Sequence, residues 1–93
     1  MKKKIGMIGL GDIAQKAYLP VLAHHELVDI VGIMSTTMST VERIGDQYHI
    51  ERRFTEVDEL LRLDLDAVFV HSPTETHGKI VMECLSRGIH VYV

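Results

Sequence analysis

A single cysteine, Cys84, stands in this chain. No disulfide can form within it, and nothing here calls for an oxidising compartment. Within an apolar, helix-like stretch, Cys84 reads as a small buried hydrophobe rather than a nucleophile. Tryptophan is absent and proline occurs only twice, so there is no proline-rich linker. No apolar run approaches the roughly 18–20 residues that cross a bilayer. The Lys2-Lys3-Lys4 start is followed by Gly6, Gly9, Gly11 and Asp12 instead of an unbroken apolar segment, which excludes a signal peptide. The chain is therefore expected to be cytoplasmic, with no membrane partner. Positive charge is in deficit: 10 Lys and Arg against 13 Asp and Glu, for a net charge of −3. Nucleic acid is not an expected partner either, because its recognition needs clustered positive charge.

What is present is the composition of one compact domain. Of 93 residues, 46% are hydrophobic and 25% charged, near the averages of soluble globular chains. Short apolar runs alternate with longer amphipathic ones. Ile5 to Ile8 predicts a first strand and Val28 to Met34 a second. Arg53-Phe54 predicts a short third, Ala67 to His71 a fourth, and Ile89 to Val93 a fifth. Between them, Asp12 to about Ala23 has helical spacing at Ile13, Ala17, Val21 and Leu22, with a break expected at Pro20. Ser39 and Glu42 have capping-box spacing for a helix to about Tyr48, weakened by Gly45. Thr55, with Asp58 three residues on, predicts the cap of a helix to about Arg62. Glu75 to Arg87 predicts a last helix carrying Ile80, Val81, Cys84 and Leu85 inward and stopped by Gly88.

Strands alternating with helices predict an α/β fold. Right-handed crossovers favour a doubly wound parallel sheet in a three-layer α/β/α arrangement, cut off after the fifth strand. Val91-Tyr92-Val93 would leave an apolar strand as an open edge, so the chain is read as a piece of a longer one and as a homo-oligomer.

Three places carry chemistry. Gly9-Leu10-Gly11-Asp12-Ile13-Ala14 follows a strand and opens a helix, the context in which a G-x-G-x-x-A pattern means dinucleotide binding. Gly9 allows the tight turn, Gly11 lets the backbone approach a pyrophosphate, and Ala14 keeps helix and sheet close. The bland alternative is a glycine turn that only packs the helix. The second place is Ser35-Thr36-Thr37, at the end of the second strand. NAD-selective sites put a carboxylate there for the ribose hydroxyls. Three hydroxyls without a carboxylate lean toward NADP over NAD, with Arg43 of the next helix as a candidate partner, although they could equally form a plain polar turn. The third is His71-Ser72-Pro73-Thr74-Glu75-Thr76-His77, from the end of the fourth strand. In a sheet ordered 3-2-1-4-5 this loop faces the glycine loop across the switch point. His77 would sit in a first helical turn, whose dipole favours neutral imidazole. His24, His25, His49 and His90 show no metal-ligand spacing, and no metal site is expected.

At these places the sequence resembles the nucleotide-binding half of the Gfo/Idh/MocA oxidoreductases. The carriers are Ile5 to Ala14, Tyr18-Leu19-Pro20, Asp66 to Val70, Ser72-Pro73-Thr74 with His77, and Gly88 to Val91. The runs Ala14 to Ala17, Leu19 to Ala23 and Val70-His71-Ser72 look like its MviM-like branch. The resemblance implies an NAD(P)-binding Rossmann domain over residues 1–93. The dinucleotide would be held by Gly9 to Ala14, residues 35–38 and the Ser72-to-His77 loop. The parent enzyme would pass hydride between cofactor and a hydroxyl or carbonyl carbon, on a sugar-like substrate. NADP-using members often carry an Arg where Met38 stands. The family's Glu-Lys-Pro motif would begin just after Val93, so the catalytic Lys and the substrate domain fall outside the chain. No catalytic residue is assigned, and the 93 residues are expected not to turn over. A non-catalytic dinucleotide-binding regulator, or an interaction module without nucleotide, stays open as the alternative.

Overall fold

The structure, a computed structural model, describes residues 2–11, 16, 18–22, 24–71 and 77–92. Five strands, β1 (Lys3–Ile8), β2 (Val28–Met34), β3 (Arg53–Phe54), β4 (Ala67–Val70) and β5 (His90–Tyr92), alternate with four helices. These are α1 (Leu19–Leu22), α2 (Met38–Tyr48), α3 (Val57–Leu61) and α4 (His77–Ser86). All strand pairs are parallel, in the order β3-β2-β1-β4-β5. The chain starts in the middle strand, walks to one edge, then crosses to the other side of β1. That reversal makes the carboxyl ends of β1 and β4 the switch point, as expected.

The sheet is buried on both faces, which is why its strands read as nearly unbroken apolar runs. On one face Ile5, Met7 and Ile33 pack with Leu19 of α1 and with Val41 and Ile44 of α2. On the other, Ile8, Val68 and Val70 pack with Leu60 and Leu61 of α3 and with Ile80 and Cys84 of α4. Each such side chain taken from water stabilises the fold by roughly 1.5–3 kcal/mol. Asp66 fastens the amino end of the sheet. Its carboxylate accepts the Lys4 amide at 2.8 Å, and its own amide donates to the Lys4 carbonyl at 2.7 Å.

Local details depart from the sequence expectations in four places. The Ser39/Glu42 box does not form: α2 begins at Met38 behind Thr37, with no side-chain cap, so Ser39 is already inside the first turn. Glu42 instead accepts a bond from Arg53 at 2.9 Å. Likewise α3 begins at Val57 behind Glu56, not at Thr55, again without a side-chain cap. Val21 and Leu85 are 62% exposed. In each helix the inward position is taken by another residue, Leu19 in α1 and the Ile80/Cys84 pair, four residues apart, in α4. Pro20 lies in the first turn of α1, where an amide hydrogen is not needed.

Two backbone reversals follow the expected chemistry. Gly88, at φ 72°, ends α4 in the left-handed conformation. The end of α2 does the same without glycine, His49 standing at φ 57°.

Candidate dinucleotide site

The functional edge is tied together by backbone hydrogen bonds between neighbouring strand ends. Gly9 N–H donates to the Met34 carbonyl at 2.9 Å, joining the β1 turn to the end of β2. Ser35 N–H donates to the Phe54 carbonyl at 3.1 Å, joining β2 to β3. His71 N–H donates to the Ile8 carbonyl at 2.7 Å, joining β4 to β1. Residues 9–11, 35–37 and 71, apart in sequence, therefore stand side by side along the carboxyl edge of the sheet.

Gly9 is at φ 85°, a conformation that disfavours a side chain. Leu10 is buried beneath the turn. Gly11 is exposed, and a Cβ added there would meet nothing within 4 Å. Packing among the described residues therefore does not demand glycine at 11. Open space over a bare backbone suits close approach by a pyrophosphate. Asp12, Ile13, Ala14, Ser72, Pro73 and Thr74 lie outside the described residues. His77 is the first residue of α4, the first-turn position expected for it.

The three hydroxyls at the end of β2 are not equivalent. Ser35 is turned inward, 8% exposed, and its Oγ accepts the Thr37 amide at 3.2 Å. Thr36 and Thr37 are exposed. Thr36 lines a cavity of about 710 Å³ between α3 and α4, floored by Met34 and Ile80. From the β3–α3 turn come Thr55 and Glu56, from the first turn of α3 Val57 and Asp58, and from α4 Lys79 and Glu83. From sequence, Glu83 was assigned nothing, and Thr55 and Asp58 only a helix cap. Met34↔Phe54 register across β2 and β3 brings them there, and no local spacing signals it.

His71, the first residue of the third stretch, was given no role of its own from sequence. Its ring lies 4.7 Å from that of Tyr18, and Nε2 is buried with no partner among the described residues. Burial holds this imidazole below its ordinary pKa, favouring the neutral ring. Cys84 is fully buried, and burial raises its thiol pKa, as befits a packing residue. Among the described residues no three His, Cys, Asp or Glu side chains could share a metal ion.

The model of the oxidoreductase family with the NAD-binding Rossmann fold, GFO_IDH_MocA, matches residues 3–93. The chain belongs to the Gfo/Idh/MocA family. A dehydrogenase (MviM) from Clostridium difficile is similar at 43% identity with a TM-score of 0.91, covering 100% of this chain and 30% of that one. The 3-ketoreductase KijD10 of Actinomadura kijaniata, solved as the Y186F mutant with TDP-benzene and NADP, is 28% identical with a TM-score of 0.89. That match covers 98% of this chain and 28% of that one. Scyllo-inositol dehydrogenase of Lactobacillus casei, solved with NAD(H) and scyllo-inositol, is 25% identical with a TM-score of 0.90, over 98% and 27%. Among curated relatives, YceM of Salmonella typhimurium is 42% identical over 97% of this chain. The chain spans 29% of that relative's length. Among the described residues no helix is long and apolar enough to cross a membrane.

Proposed function

We propose that residues 1–93 form the NAD(P)-binding domain of an oxidoreductase acting on a hydroxyl or carbonyl carbon of a sugar-like substrate. The observation that carries this reading is the Gly9–Gly11 turn at the switch point. One glycine is in a left-handed conformation, the other has open space, and both lie in a chain the family model spans almost end to end. Gly9 to Ala14 would hold the pyrophosphate against the following helical turns, and Ser35 to Thr37 the ribose nearest adenine. Ser72, Pro73, Thr74 and His77 would contact the cofactor from the β4 side. The bound nicotinamide would supply hydride exchange with the substrate carbon. This chain's part is to bind, to orient, and to keep the cofactor's phosphates on backbone amides.

Sugar-like substrates are supported by the relatives' names, scyllo-inositol and a dTDP-sugar among them. The substrate-contacting groups are assigned to the portion that those longer relatives carry beyond this span. A cytoplasmic place and self-association through the β5 edge, where Tyr92 is 55% exposed, complete the reading.

The test is titration with NADH and with NADPH, followed by nicotinamide emission, since the chain has no Trp to act as donor. Binding of at least one, and its loss in Gly11→Val through direct steric blockage, is the expected result. If neither cofactor binds the full-length protein, the reading fails. Light scattering that shows only monomer at high concentration sinks the self-association.

A further inference from the structure

We propose that Glu56, just before α3, and Asp58, in its first turn, make the site select NAD(H) over NADP(H). The inference rests on the dinucleotide reading above and concerns the end of the cofactor that carries adenine.

The end of β2, where such folds read the ribose nearest adenine, holds no carboxylate in sequence. In space it does have carboxylates beside it. Met34 pairs with Phe54, and the Ser35 amide bonds the Phe54 carbonyl, so the chain leaving β3 runs alongside Ser35 to Thr37. Glu56 and Asp58 then stand in the wall of the same cavity as Thr36. Apolar floor and polar rim suit a heterocycle carrying a ribose, and the cavity's 710 Å³ leaves room for both.

The charge of that rim decides which ribose it takes. Glu56, Asp58 and Glu83 face one cation, Lys79. A 2′-phosphate would bring about −1.5 to −2 further charges at neutral pH. Neither Glu56 nor Asp58 is paired with a cation among the described residues, and Glu56 makes no side-chain cap on α3. The guanidinium nearest in the chain is already committed: Arg53 binds Glu42 at 2.9 Å, Asp46 at 3.0 Å and the Ile50 carbonyl at 2.7 Å. Arg43 is not among the lining residues. The plain 2′-hydroxyl of NAD meets no such repulsion, and a carboxylate can accept a hydrogen bond from it. Thr36 and Thr37 supply hydroxyls to either cofactor, so they do not reverse the preference.

The experiment is a paired titration of the full-length protein with NADH and NADPH at about 0.02 M and at about 0.5 M salt, repeated on Glu56→Gln/Asp58→Asn. NADH should bind about tenfold or more tightly than NADPH at low salt. The ratio should narrow several-fold at high salt, because these carboxylates are exposed and screened within about a Debye length. The double variant should narrow it to a similar degree at low salt. Because the readout is a ratio, general weakening of a variant moves both affinities together and does not imitate the effect. NADPH binding as tightly as NADH, or a ratio untouched by the two neutral substitutions, overturns the inference and leaves the dinucleotide site standing. Failure of both cofactors to bind overturns the site and this inference with it.

Discussion

The side chain of Arg53 lies across Gly45, in the volume where a Cβ would stand. From there its guanidinium reaches Glu42 and Asp46, one on each side of the glycine, and so fastens the edge strand β3 to α2. Mid-helix glycine usually costs up to about 1 kcal/mol relative to alanine. Here it is the condition for the contact.

Gly45→Ala is therefore expected to destabilise the protein, against the helix-propensity trend, lowering Tm by at least about 4 °C. Gly78→Ala supplies the contrast. Gly78 is in α4 and exposed, and a Cβ there meets nothing within 4 Å, so that change should raise Tm or leave it level. Thermal melts of both variants check the pair. Two shifts of the same sign would show that Arg53 does not hold this position.

A second expectation concerns the face of the sheet under α3. Gly6 and Gly32 are register partners on β1 and β2. A Cβ on Gly32 would come within 2.8 Å of the Leu60 Cδ1 atom, and one on Gly6 within 3.3 Å. Leu60 is fully buried in the hollow the two glycines leave. Leu60→Ala should cost about 2–5 kcal/mol through the cavity it opens, and Gly32→Ala about 1–3 kcal/mol through overpacking. The double variant should cost less than the sum by about 0.5 kcal/mol or more, since the new methyl occupies part of the space that leucine vacates. Denaturant titration of the three variants measures this, and strict additivity would mean that the two residues do not share the hollow.

The strand order and both helical layers were legible because they follow from coarse quantities: unbroken apolar runs, helical spacing between them, and the handedness of crossovers. The Gly9–Gly11 turn was legible for the same reason, its chemistry being local to six consecutive residues. Helix starts were misread where a spacing rule met a competing partner. Glu42 could have closed a cap with Ser39, but Arg53 offers a charge, and α2 begins two residues earlier than that box requires. Glu56 and Asp58 were missed as site residues, and His71 was given no role of its own within its stretch, because their place depends on register between strands. Met34 opposite Phe54, and Ile8 beside His71, are pairings across 20 and 63 positions of chain that no window of residues displays.

His71 gives the last expectation, on pH. Its imidazole is part-buried beside Tyr18 with Nε2 lacking a partner among the described residues, and burial lowers its pKa below the ordinary 6.5. The folded protein then holds it neutral, while the unfolded chain takes up a proton near pH 6.5. Between those two values the unfolded state binds more protons, so stability rises with pH there. The contribution is whole above about pH 7 and is lost as pH falls through 6.5 toward the lower folded value. His71→Phe keeps a ring against Tyr18 and removes the titration. The Tm of the parent should fall faster than that of the variant between pH 7 and pH 5, and the difference between the two melting curves isolates His71 from every other titrating group. A difference that stays constant over that range would mean that the imidazole is as free to take a proton in the folded chain as in the unfolded one.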